Sequence, residues 1–228
     1  MSSNQQNQDQ EQQRAPSPTN QSTNTHENGD TSTSRSDQDE WKQRPPYQIH
    51  RSSDSFHAVW NGKCHCGKTR YQLSRDKPLA AKYCHCTTCQ RLHGSPFQWA
   101  AIFHKTDINF THGHHDLAWY DPSECTTRHK LPCKVSCAYC RTPIMDEGRN
   151  MILLFPTLIE GINSKEGREA FKPECHMFYS RRVVDIKDGV PKWDGINEES
   201  KRMDEDGNII EDEHKKEGGE HEQKRQKT

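Results

Sequence analysis

The chain has 228 residues, 29% hydrophobic and 29% charged, with a mean hydropathy of -1.20 and a formal net charge of -1. Its longest apolar run, Met151-Ile152-Leu153-Leu154-Phe155, is far short of the roughly 20 residues a membrane-spanning helix needs, and the N-terminus lacks the basic start and apolar segment of a secretory signal. The expectation is therefore no membrane span, no secretion by the usual route, and a reducing, cytoplasmic setting.

Residues 1–45 hold three hydrophobic side chains (Met1, Ala15, Trp41) and residues 196–228 hold four (Ile196, Met203, Ile209, Ile210), so the material for a core lies between them. The ends are also acidic: four Lys/Arg against seven Asp/Glu in 1–45, and seven against eleven in 196–228, around a net basic middle. Ordering such polar segments costs backbone entropy that no burial returns. The reading is a disordered polar tail over 1–50, one globular domain over 51–195, and a disordered charged tail over 196–228. The run Lys224-Arg225-Gln226-Lys227 offers a nuclear address, but in a Lys-rich tail it reads about three times as readily as solvated charge.

Along the domain the pattern is that of short strands. Phe56–Trp60, Thr69–Leu73, Phe97–Phe103, Ile108–Thr111, Leu117–Tyr120, Arg128–Val135, Asn150–Leu158, Cys175–Ser180 and Val183–Ile186 are rich in β-branched and aromatic residues. Hairpin dipeptides (Asn61-Gly62, Asp188-Gly189, Asp194-Gly195) and six prolines between Pro78 and Pro156 punctuate them. Helix has room for about one turn, at Thr87–His93. The fold class expected is mostly β.

Three cysteine clusters stand out: Cys64-His65-Cys66, Cys84-His85-Cys86-Thr87-Thr88-Cys89, and Cys137-Ala138-Tyr139-Cys140. In a reducing compartment such spacings point to metal ligation more than to disulfides. Seven thiolates cannot close two four-cysteine shells. One closed set of four leaves a set of three whose fourth position falls to water, a histidine or a substrate. Spacing alone leaves the pairing open, since Cys64 and Cys66 could share an ion with Cys137 and Cys140 or with two cysteines of the middle cluster.

The run Gly62-Lys63-Cys64-His65-Cys66-Gly67-Lys68-Thr69-Arg70-Tyr71, then Tyr83-Cys84-His85-Cys86-Thr87-Thr88-Cys89-Gln90-Arg91-Leu92-His93-Gly94-Ser95-Pro96-Phe97, resembles the family of glutathione-dependent formaldehyde-activating enzymes and centromere protein V. Cys137-x2-Cys140-Arg141-Thr142-Pro143 and Cys175-His176-Met177-Phe178 extend the likeness across about residues 56–195. The resemblance implies a zinc-stabilised β-tent of small packed antiparallel sheets. It implies two Zn²⁺ sites: a structural one on Cys64, Cys66, Cys137 and Cys140, and a second, open one on Cys84, Cys86 and Cys89. It also implies a carbon–sulfur lyase type of activity on S-hydroxymethylglutathione, the adduct of glutathione and formaldehyde, with no covalent protein intermediate.

Within that expectation His176 is the candidate catalytic residue, with a structural histidine as the alternative role. Arg91, Arg70 and Arg141 are candidates for the carboxylates of glutathione. His85 reads as a turn residue, and His93, if it closed a Cys3His shell, would make the second site structural. His112-Gly113-His114-His115 reads as a loop with adventitious metal affinity; Cys125, Cys133 and Cys175 lie outside the clusters, and Cys133, four residues before Cys137, reads as a substitute ligand or, more commonly for a lone cysteine, as a buried strand residue. Arg141 stands where the family has glycine, which strains the turn if that position needs positive φ, and Val183-Val184 stand where it has an aromatic. The competing reading is a non-enzymatic zinc module that binds protein or nucleic acid. Against nucleic acid, there is no Lys/Arg stripe with interleaved aromatics, and both ends are acidic.

Overall fold

The structure is a computed structural model that describes residues 46, 47, 50 and 56–211. Among these are twelve strands in two sheets and two short helices. The smaller sheet pairs β1 (Trp60–Lys63), β2 (Arg70–Leu73) and β5 (Ile108–His112) in the order β1-β2-β5, all antiparallel.

The larger sheet collects β3 (Ala80–Cys84), β4 (Gln98–His104), β6 (Leu117–Tyr120), β7 (Cys133–Cys137), β8 (Pro143–Glu147) and β9 (Met151–Leu154). It is completed by β10 (Cys175–Met177), β11 (Lys192–Trp193) and β12 (Arg202–Met203), and its order is β12-β11-β10-β3-β4-β9-β8-β7-β6. Helix α1 spans Thr87–His93 and α2 spans Lys165–Ala170.

Inward-facing residues alternate with outward ones along β2, β7 and β9, as half-buried strands require. Tyr71, Leu73, Ile108 and Phe110 from the small sheet meet Ala101, Phe103, Val135, Met145, Ile152 and Leu154 from the large one in a single core. The chain passes from one sheet to the other through a 3-10 turn at Lys105–Asp107, where the Asp107 carboxylate accepts the His104 amide at 2.9 Å. On β1, Gly62 faces Tyr71, whose ring lies where a Cβ would stand, 2.3 Å from its ideal position.

The mostly-β expectation holds, with differences in detail. β10 runs parallel to both β3 and β11, so the large sheet is mixed. The segment expected as strand over Val183–Ile186 is not one. Arg128–Val135 begins later, at Cys133, and the ends of Asn150–Leu158 and Cys175–Ser180 turn into 3-10 helix at Pro156–Leu158 and Tyr179–Arg181. β3 and β8 were not legible because Ala80-Ala81-Lys82 and Pro143 carry little strand signal. The expected tail boundaries also differ from what is seen. Tyr47 is buried in the core, and β12 pairs with β11 while Met203 is buried, so ordered structure continues to residue 211. The rest of both expected tails, including Lys224–Lys227, lies outside the described residues. No helix among the described residues is long and apolar enough to cross a membrane.

Candidate metal centres and the adjoining cavity

Two tight turns from distant parts of the chain form the first centre. The Cys64–Cys66 turn closes with Gly67 donating to the Cys64 carbonyl at 3.0 Å, and the Cys137–Cys140 turn closes with Arg141 donating to the Cys137 carbonyl at 2.9 Å. Gly67 has φ +73° and Arg141 φ +61°. The left-handed conformation expected to strain an L-residue at position 141 is therefore what this chain adopts there. Cys64 Sγ and Cys66 Sγ are 3.4 Å apart, Cys66 Sγ and Cys137 Sγ 3.8 Å, and all four sulfurs lie within 4.8 Å of one another. Four thiolates at about 2.3 Å from a tetrahedral zinc would stand about 3.8 Å apart, so the donor set fits such an ion. The Thr69 amide donates to Cys64 Sγ at 3.3 Å, and Thr142 Oγ1 lies 3.1 Å from Cys140 Sγ. Burial works against the Cys140 thiolate, but hydrogen bonds from Thr142 and Cys66 outweigh it and bring the thiol down to about 5. Of the two pairings left open by spacing, the fold brings together the first and third clusters.

The second centre is built where β3 runs into α1. Cys84 ends the strand, Cys86 is the N-cap whose sulfur accepts the Cys89 amide at 3.4 Å, and Cys89 lies in the first turn; Gly94 ends the helix at φ +57°. The three sulfurs lie within 4.8 Å of one another, and no fourth histidine, cysteine or carboxylate joins them among the described residues. A hydrogen bond from Cys89 draws the Cys84 thiol down to about 6 and raises Cys89 in return. Either cluster could hold a metal ion, and the donor chemistry is compatible with zinc.

Beside this centre are two adjoining cavities of about 480 and 520 Å³, within the usual range for small-molecule sites. They share His93, Pro143 and Phe155 in their walls. The first carries Lys134 and Arg141 over an apolar floor that includes Trp119, and the second carries Tyr83, Gln98 and Trp99. Gln98 of the second cavity pairs in register with Cys84, and His93, in the walls of both cavities, lies on the same helix as Cys89, although none of the three cysteines itself lines either cavity. Lys134 is itself held by Asp146 at 2.6 Å.

His176 lies behind the second centre, fully buried. Its Nδ1 is 2.9 Å from His85 Nε2 and its Nε2 is 3.0 Å from Asp188 Oδ2, while Lys192 holds the other Asp188 oxygen at 2.9 Å. Because Asp188 accepts from Nε2–H, Nδ1 of His176 accepts from His85. Burial lowers both imidazoles, His85 to about 4. His85 packs edge-on against Tyr179 and at 5.2 Å from Phe97, away from the three sulfurs.

Other sequence candidates separate cleanly. Of the three arginines, Arg141 lines the first cavity, Arg70 donates to the Gly67 carbonyl beside the first centre, and Arg91 is exposed. His93 is not in the sulfur cluster; both its ring nitrogens are buried without a hydrogen bond of ordinary geometry. His112 and His115 are exposed and His114 buried, and they form no ligand group. Cys175 is buried on β10 and Cys125 is exposed. Lys134 and Asp188 were not foreseen, because an isolated lysine in a strand and an aspartate in an Asp-Gly turn carry no sequence signal of their own.

A sequence model of the glutathione-dependent formaldehyde-activating enzyme family matches residues 59–181. A Rhodobacter sphaeroides protein of known crystal structure, a structural-genomics target, is similar at 21% identity, over 46% of this chain and 93% of that one, with a TM-score of 0.37. No curated protein sequence matches the chain.

Proposed function

The chain belongs to the glutathione-dependent formaldehyde-activating enzyme family, and from that premise we propose that it is a carbon–sulfur lyase acting on the adduct of glutathione and formaldehyde. The observation that carries the reading is the set of three converging thiols, Cys84, Cys86 and Cys89, with no fourth protein ligand among the described residues, on a turn and helix whose Leu92 and His93 wall a cavity that also carries Lys134 and Arg141.

Zinc held by these three residues would keep affinity for a fourth soft ligand and stabilise the sulfur of glutathione as thiolate, its nucleophilic form. The peptide's own chemistry then suffices: the thiolate attacks the aldehyde carbon, a C–S bond forms, and the carbonyl oxygen takes up the proton the thiol released. The reverse reaction breaks the same bond. Arg141 and Lys134 bind the tripeptide's carboxylates, and the Trp119 and Phe155 walls exclude water around its backbone. Cys64, Cys66, Cys137 and Cys140 hold a structural ion that closes the fold. His176, whose two ring nitrogens are both engaged and which lines neither cavity, is a positioning residue. It fixes His85, and with it the β3–α1 turn that presents Cys84 and Cys86.

The test is exchange between free and glutathione-bound ¹³C-formaldehyde followed by NMR, with glutathione titrated into the wild type and into a Cys84→Ser/Cys86→Ser/Cys89→Ser variant. Acceleration by the wild type alone, with binding lost and the fold kept in the variant, is expected. Equal exchange with and without protein, or equal glutathione binding by both proteins, would overturn the assignment.

A further inference from the structure

A third polar cluster, sharing no residue with either cysteine centre, lies at the other end of β7 and β8. Cys133 opens β7 facing inward and Glu147 closes β8, directly opposite it in register. His129, in the loop leading into β7, brings Nε2 to 2.9 Å from Glu147 Oε2. One atom from each of His129, Cys133 and Glu147 lies within 4.8 Å of the others, with Cys133 and Glu147 both buried to about 2% exposure.

We propose that His129, Cys133 and Glu147 form a third divalent-cation site, for an ion of the borderline class that zinc and cobalt represent. The donor set is one thiolate, one imidazole and one carboxylate, each a ligand type that such ions accept. The surroundings supply what metal-binding carboxylates and histidines ordinarily need from their neighbours. Lys105 Nζ holds Glu147 Oε1 at 2.9 Å, leaving Oε2 on the side of His129. The Tyr47 hydroxyl donates to Oε2, and Trp119 Nε1 donates to that hydroxyl at 3.3 Å. The His129 ring is fixed edge-on against Tyr47 and Trp119.

The Lys105 ion pair and these hydrogen bonds would satisfy Glu147 without any sulfur. Cys133 Sγ enters none of them among the described residues; its side chain belongs to the hydrophobic core, yet the sulfur lies within 4.8 Å of donor atoms of His129 and Glu147, which is where a shared ion would take it. The ion lies roughly 13 Å along β7 from the Cys137 end, at about 3.3 Å per residue, too far to be the ion of the first centre.

The full chain is loaded with Zn²⁺, freed of excess metal by gel filtration, and crystallised for an anomalous difference map at the zinc edge. A peak between His129, Cys133 and Glu147 is expected, and its absence overturns the proposal whatever the two cysteine centres hold. In solution, zinc per chain is expected to fall by one ion in Cys133→Ser and in Glu147→Gln, with the near-UV circular dichroism of the wild type. Unchanged zinc in both folded variants also overturns it and assigns any extra ion to surface histidines such as His112 and His115.

Discussion

Arg141 is asked to do two things that pull against each other, and a single substitution separates them. Its φ of +61° places an L-residue in the left-handed region, at a cost of roughly 1–2 kcal/mol. Glycine removes that cost but gives back roughly 0.5–1 kcal/mol through the greater freedom of the unfolded chain. Arg141→Gly should therefore stabilise the metal-loaded protein by roughly 0.5–1 kcal/mol, or about 1–4 °C for a domain of this size. The same change deletes a cation from the cavity wall. Loss of a charge-assisted hydrogen bond worth about 1.5–3 kcal/mol should weaken glutathione binding roughly 10- to 150-fold. Arg141→Ala is the control: it loses the cation but keeps the strained backbone, so binding falls while stability stays near that of the wild type. Urea unfolding at fixed free zinc, beside calorimetric titration with glutathione, reads both effects. Equal stability of Arg141→Gly and Arg141→Ala would refute the strain argument, and undiminished glutathione affinity in both would refute the place given to the side chain.

Cys137→Ser should cost an amount comparable with the roughly 5–15 kcal/mol of stability a domain usually has, because structural zinc contributes on that scale; loss of the cooperative thermal transition checks it. Gly62→Ala pushes a methyl group into the Tyr71 ring, which is buried and has nowhere to go, and should destabilise by roughly 1–3 kcal/mol in denaturant melts. At Asp188 burial opposes ionisation, but hydrogen bonds from Lys192 and His176 outweigh it and hold the carboxyl below its ordinary value. That contribution is complete above the ordinary carboxylate range and disappears as pH falls through the lowered pKa. Asp188→Asn should accordingly flatten the acid limb of the stability profile, and a slope equal to the wild type's would count against the ion pair.

How far the sequence reaches is clearest from the cysteines. Their spacing marked the seven cysteines that the fold gathers into two groups, since thiols that converge on a tight turn need residues two or three apart. Runs of β-branched and aromatic residues between turn signals likewise marked β2, β4, β5 and β6 to within a residue or so, because such side chains favour the pleated, half-buried strand. Partnership between clusters is a different kind of fact: Cys66 and Cys137 stand 71 residues apart, and nothing local records that two turns meet. The same holds for Lys134 and Arg141 on one cavity wall, and for His176 behind Cys84 rather than before it. It holds again for Tyr47, for His129 with Cys133, and for Glu147, brought from three separate segments. Local physics, which acts between neighbours in the chain, is legible in order and spacing; the juxtaposition of distant side chains is set by burial of the shared core, and only the folded sheets decide it.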